Sequence, residues 1–339
     1  MMSDKMNNFE IPVVVFFFTR DDLILQVIDR ISKVKPQKIY LFSDGGRNPE
    51  EHKKVLDCRK KVEKALNREC EVIKNYAEKN RGVYESIGKG AQWVFEHEEK
   101  AIFLEDDNLP ELSFFRYCKE LLELYENDDR ILWICGTNYL ESFEPSDGSS
   151  YMFTKHLLPC GWASWSNKFL RYYDGELNGL EEPGIEEKIK YSYENKALFK
   201  QQIYNFNGTY YKLRNNKDVS WDYQMCFSLR ANSVYGISPK KNQIKNIGVD
   251  ERSTHGGTSL KKVMTRRFCG MGSKELEFPL KHPKFVIVDN EYESRISNII
   301  LQPLSMRIIY SIVRKIKPLL GFEKYESVSL RAIKEKVKK

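Results

Sequence analysis

Between residues 12 and 105 the apolar positions switch repeatedly between a strand period and a helix period. Pro12 to Phe18 is an unbroken apolar, β-favouring run, the pattern of a strand covered on both faces. Asp21 to Val34 carries apolar side chains at 23, 24, 27, 28 and 31, a helical spacing. Lys38 to Phe42 predicts a second strand, ending in Ser43-Asp44-Gly45-Gly46, and Pro49 to Leu66 a charged surface helix. Glu71-Val72-Ile73 predicts a short third strand. Gly82 to His97 predicts a helix with Val83, Ile87, Ala91, Trp93 and Val94 inward, leading into Ala101-Ile102-Phe103-Leu104. Consecutive β-α units of this kind predict an α/β fold with a mainly parallel sheet and right-handed crossovers.

The rhythm changes near residue 131. Ile131 to Cys135 reads as one more buried strand, followed by a loop-rich stretch, 136–165. Leu177 to Arg214 is rich in Tyr and Asn and reads as short helices and loops. Lys240 to Arg267 is dominated by glycine and polar residues, as in a flexible or ligand-ordered loop. Leu304 to Leu320 again has helical apolar spacing, at Met306, Ile308, Ile309, Ile312, Val313 and Ile316. Arg307, Arg314, Lys315 and Lys317 lie mostly between them. Such a helix can lie flat on an anionic inner leaflet or dock its stripe on the rest of the chain.

Composition narrows the class. With 339 residues, 41% hydrophobic and 13% aromatic, the chain can bury a full core, which argues against disorder. Its seven cysteines contain no C-x-x-C pair, a pattern of reduced thiols rather than a disulfide framework or zinc site. No apolar run has the length of a signal core or a membrane span, so a cytoplasmic protein is expected. The net charge of +7 gathers toward the C-terminus and accompanies no nucleic-acid motif, so no nucleic-acid partner is expected.

The chemistry concentrates where the apolar run ends in Glu105-Asp106-Asp107. Adjacent carboxylates repel unless a cation sits among them, and Mg²⁺ or Mn²⁺ prefers such oxygens together with substrate phosphates. The alternative is an acidic turn before a helix that Asn108-Leu109-Pro110-Glu111 would start. In a parallel sheet the ends of several strands share one rim. Thr19-Arg20, Ser43-Asp44-Gly45-Gly46, Asn80-Arg81-Gly82, Glu105-Asp106-Asp107 and Gly136-Thr137-Asn138 would meet there. An Arg on that rim can neutralise a diphosphate, and an Asp can accept from a base or ribose edge.

Pro12-Val13-Val14-Val15 with Thr19-Arg20, Glu105-Asp106-Asp107, Pro159-Cys160-Gly161-Trp162 and Trp221-Asp222-Tyr223-Gln224-Met225 occur in an order that resembles GT-A nucleotide-sugar glycosyltransferases. Over about residues 11–260 the chain looks most like bacterial relatives of the N-acetylglucosaminyltransferase that initiates complex N-glycan branching. The resemblance implies that Asp107 coordinates a Mn²⁺ or Mg²⁺ ion while Glu105 and Asp106 contact ribose or sugar. It implies that Arg20 and Asp44 bind the nucleotide, with Arg81 nearby, and that Gly161-Trp162 shapes the donor-sugar pocket. Asp222 corresponds to the general base; its alternative is a helix N-cap. His255, in a Ser-Thr-His-Gly stretch, corresponds to a segment closing over the nucleotide; its alternative is a plain loop histidine. The chain departs from the pattern after Asp222, where Tyr223-Gln224 replaces an acidic-aromatic pair.

The resemblance divides the chain into a nucleotide-sugar-binding half, 1–136, an acceptor-binding half of the same domain, 137–285, and a basic amphipathic extension, 286–339. The expected activity is metal-dependent, inverting transfer of a sugar, UDP-linked, to a hydroxyl of a cell-surface glycan precursor. The expected partners are the donor, a glycan or lipid-linked glycan acceptor, and an anionic membrane surface on the inner face of the plasma membrane. Two alternatives remain at this stage: a nucleotidyltransferase making the sugar nucleotide, and a non-enzymatic glycan-binding or hemolysin-like module. Thr19-Arg20-Asp21-Asp22 lacks the glycine-rich loop of the first, and seven unpaired cysteines disfavour the second.

Overall fold

The computed structural model of the chain describes residues 9–66, 69–252 and 257–326. Its strands are β1 (Val13–Phe17), β2 (Lys38–Ser43), β3 (Glu71–Tyr76), β4 (Lys100–Glu105), β5 (Asn108–Pro110), β6 (Ile131–Cys135), β7 (Tyr151–Thr154), β8 (Trp162–Trp165), β9 (Tyr235–Pro239) and β10 (Ile244–Asn246). Its helices are α1 (Asp21–Val34), α2 (Pro49–Ala65), α3 (Lys89–Phe95), α4 (Leu112–Leu124), α5 (Ser166–Tyr172), α6 (Ile185–Lys190), α7 (Lys196–Arg214), α8 (Asp222–Ala231), α9 (Val263–Cys269), α10 (Asn290–Ile300) and α11 (Leu304–Leu319).

Eight strands form one sheet in the order β3-β2-β1-β4-β8-β6-β9-β7. The first four run parallel, β8 pairs antiparallel with β4 and with β6, β9 runs parallel to β6, and β7 closes the edge antiparallel. Alternate residues of the central strands serve opposite faces. Val13, Val15, Ile102 and Leu104 pack on one side, with Val14, Phe16, Ala101 and Phe103 on the other. Both faces are covered, which is why these strands read as unbroken apolar runs. The fold is mixed α/β, Rossmann-like, with helices flanking a mostly parallel sheet.

Three local expectations are corrected. The stretch 136–165 contains β7 and β8, each four residues long and wholly buried, too short to show any alternation. Within 177–214 lies the 19-residue α7, whose inward face includes Gln201, Gln202 and Thr209 beside Leu198 and Phe206. A helix that buries polar side chains leaves a weak apolar stripe. The tetrad Asn108 to Glu111 does not begin a helix: Asn108–Pro110 pairs antiparallel with β10, and α4 starts at Leu112.

The chain leaves β1 through α1 to β2 on one side, and returns after β3 to place β4 on the other side of β1. The crevice at the carboxyl ends of β1 and β4 is therefore the topological switch point, where open α/β sheets bind ligands. Among the described residues no single helix is long and apolar enough to cross a membrane; α10 and α11 pass that test only jointly, across a 58° bend.

Candidate active site

Arg20 and the acidic run Glu105-Asp106-Asp107 meet at this switch point because β1 and β4 are adjacent, with Phe16 in register with Glu105. Arg20 caps α1, and its Nη2 donates to Asp106 Oδ1 in a short contact and to Asp107 Oδ2 at 3.0 Å. Its Nη1 donates to the carbonyl of Gly248 at 3.3 Å. Asp107 Oδ1 accepts from Asn108 Nδ2 at 2.7 Å, and Asn108 Oδ1 accepts from the Gly161 amide at 2.9 Å. The buried Asn108 thus ties the acidic turn to the start of β8, a role hidden behind its resemblance to a helix cap.

Gly161 has φ of +62°, and a Cβ there would strike Ile244, so glycine is required on both counts. Trp162 does not present its ring to the crevice. It is buried, stacked between Phe103 at 3.9 Å and Trp133 at 4.1 Å between centroids. Whatever the Gly161-Trp162 segment offers a ligand comes from its backbone. Gly248 was not singled out by sequence, yet any side chain there would run into the Asp107 carboxylate and the Arg20 guanidinium. It forms the back wall of the cluster, delivered by a loop whose Ile247 amide donates to the Asp107 carbonyl at 2.9 Å. Its only sequence signal is a glycine in a loop-like stretch.

Asp44 and Arg81 form a second group. Asp44 accepts from the amides of Gly45 and Arg81, both at 2.8 Å, from the Gly82 amide at 2.9 Å and from Asn80 Nδ2 at 3.0 Å. It clamps the 80–82 segment beside β2. The exposed Arg81 lies alongside, with Nε 3.9 Å from Asp44 and Nη1 donating to Asn75 at 3.2 Å. Among the described residues no hydrogen bond joins this pair to the Arg20 cluster. His255 lies outside the described residues.

Asp222 is the first residue of α8, and the N-cap position is taken by Trp221 rather than by Asp222. Its Oδ1 is buried without a hydrogen-bond partner. It is close enough for its charge to bear on Glu105 and on the Cys160 thiol, which also feels Asp107. The fold therefore brings together Arg20, Glu105, Asp106, Asp107 and Asp222, with Gly161 attached through Asn108.

No known protein family matches the sequence, and no curated protein does. Solved structures resemble it at low similarity. One is 4-diphosphocytidyl-2C-methyl-D-erythritol synthase from Anaerococcus prevotii DSM 20548, at 10% identity and a TM-score of 0.33, over 64% of this chain and 91% of that one. Another is UDP-glucose pyrophosphorylase complexed with UDP-glucose, at 10% identity and 0.32, over 70% of this chain and 93% of that one. Apo UDP-glucose pyrophosphorylase matches at 9% identity and 0.33, over the same 70% and 93%. Likeness of this degree assigns no chemistry, which rests on the side chains.

The cluster carries more negative charge than Arg20 offsets. Burial, with Asp107, Asp106 and Asp222 nearby, raises the Glu105 carboxyl to about 8, and burial with Asp107 raises Asp106 to about 6 despite Arg20. Among the described residues no three His, Cys, Asp or Glu side chains form a ready-made metal cage. A hard divalent ion that keeps its waters needs only one or two carboxylates plus substrate phosphates. The all-oxygen donor set and the uncompensated charge fit such an ion.

The raised carboxyls have a consequence for stability. Glu105 and Asp106 keep their protons to higher pH in the folded chain than in the unfolded one. The folded state therefore binds more protons, and this contribution to stability is lost as pH rises from about 4 to about 8. Glu105→Gln is expected to melt close to the parent at about pH 5 and progressively above it toward about pH 8, without divalent ions. A pH-independent difference between the two melting curves would remove this account.

Proposed function

We propose that the chain is a metal-dependent, inverting glycosyltransferase of the GT-A kind. It moves a sugar from a nucleotide diphosphate donor, UDP-linked, to a hydroxyl of a glycan or lipid-linked glycan. The observation that carries this reading is the pairing, at the switch point, of an Arg20-held acidic cluster with an unpartnered carboxylate oxygen on Asp222. A transferase of this type needs an anchor for the diphosphate and a free base for the incoming hydroxyl. It needs no covalent intermediate.

Asp222 takes the proton of the acceptor hydroxyl as that oxygen attacks C1. The bond from C1 to the β-phosphate oxygen breaks, its electron pair leaves with the nucleoside diphosphate, and one in-line displacement inverts C1. Arg20 bears on the departing diphosphate from the end of β1. A divalent ion held by Asp107, when bound, would neutralise the charge that develops on the leaving group.

Nucleotidyl transfer is the second reading. Against it stands the loop after β1, Thr19-Arg20-Asp21-Asp22, which has no glycine to wrap a triphosphate. The discriminating assay supplies UDP-sugars with Mn²⁺ in one arm, and UTP with sugar 1-phosphates in the other. Metal-dependent release of UDP in the first arm alone is the expected result. Pyrophosphate release in the second arm would replace the proposal by nucleotidyl transfer.

A further inference from the structure

The C-terminal helix α11 leaves a row of large apolar side chains exposed. Leu304 is 65% exposed, Ile308 and Ile312 52% each and Leu319 84%, and helical spacing sets them on one side. Two of its basic side chains, Arg314 and Lys317, are turned toward the protein. The Arg314 guanidinium lies 3.4 Å from the ring centroid of Tyr204 on α7. The buried Lys317 ammonium donates to the Lys324 carbonyl at 3.3 Å and, in a short contact, to that of Glu326. Of the expected stripe, Met306, Val313 and Ile316 are partly buried, while Ile308, Ile309 and Ile312 stay exposed. A surface helix normally turns such a stripe inward, and contiguous exposed apolar surface marks a binding face.

The preceding helix α10 is tied to the sheet by Tyr292, whose hydroxyl bonds Ser238 and Asn138, and by Glu293, which accepts from Thr154 and from the Lys155 amide.

Charge decides what covers the stripe. Residues 304–319 include Arg307, Arg314, Lys315 and Lys317 and no acidic side chain, and Lys315 is exposed among the apolar residues. A second copy docked through the same face would set the exposed Lys315 of each helix against the other with no acidic side chain on the helix to offset them, whereas anionic headgroups complement that charge. At 16 residues the helix is about 24 Å long, suited to lying in an interface. We propose that α11 docks the protein flat on an anionic lipid bilayer. Leu304, Ile308, Ile312 and Leu319 enter the headgroup–acyl boundary, and Lys315 reaches the lipid phosphates. This surface stands independently of the transfer reaction proposed above.

Flotation of the full chain at low salt, with vesicles of phosphatidylglycerol in phosphatidylcholine or of phosphatidylcholine alone, tests it. The parent is expected to float with the anionic vesicles only. The double variant Ile308→Asp, Ile312→Asp is expected to stay at the bottom with unchanged circular dichroism and melting temperature, since neither residue is part of the buried core. Lys315→Glu should weaken flotation while the stripe stays intact. Absence of flotation by the parent, or unchanged flotation of the double variant, overturns the proposal. So does a lipid-free dimer, seen by sedimentation, that the double variant splits into monomers.

Discussion

Asp222→Asn is expected to lower turnover by about 10²–10⁴-fold, the usual worth of a general base, with the KM for the donor nearly unchanged. The substitution keeps the side chain's volume and replaces a basic oxygen by an amide. Nothing in the fold depends on that oxygen, because Asp222 Oδ1 is buried with no hydrogen-bond partner. The variant should melt no lower than the parent, since Asp222 is one of the charges that push the Glu105 carboxyl up. A parallel loss of donor affinity would make Asp222 a donor-binding residue. Full activity would leave it only the favourable interaction of a first-turn acid with the amino end of α8.

Asp107→Ala is expected to abolish transfer and to remove the Mn²⁺-dependent rise in melting temperature with UDP. A ligand at a hundred times its dissociation constant adds about 2.7 kcal/mol of stability, so loss of that shift is easily read. Without ligand the variant should be at least as stable as the parent. Arg20 keeps its bond to Asp106, and the repulsion that raises Glu105 and Asp106 declines. Retention of both activity and the metal-dependent shift would remove Asp107 as the metal-holding residue. Loss of activity with the shift intact would move the ion elsewhere in the cluster.

Helix α1, strand β6 and the strand that ends at Glu105 were legible because each is encoded locally. Apolar residues recur at 23, 24, 27, 28 and 31, and strands buried on both faces read as continuous runs. The density of carboxylates at 105–107, after such a run, was enough to mark the rim. Less legible were elements whose periodicity is diluted or brief. The helix α7 buries glutamines and a threonine, and β7 and β8 are shorter than any period that could betray them.

By itself, then, the sequence determined the α/β class, the strand that carries the acids and the basic, amphipathic character of residues 304–319. Only the tertiary structure decided what those features do. It turned Trp162 into the core between Phe103 and Trp133, made Asn108 a bridge to Gly161 rather than a helix cap, and set Gly248 behind Asp107. It also chose which side of α11 faces outward. The reason is range. Period and charge density are properties of neighbours along the chain, whereas Arg20 meets Asp107 across 87 positions and Gly248 across 228. Such meetings arise only when the sheet places the ends of β1 and β4 side by side.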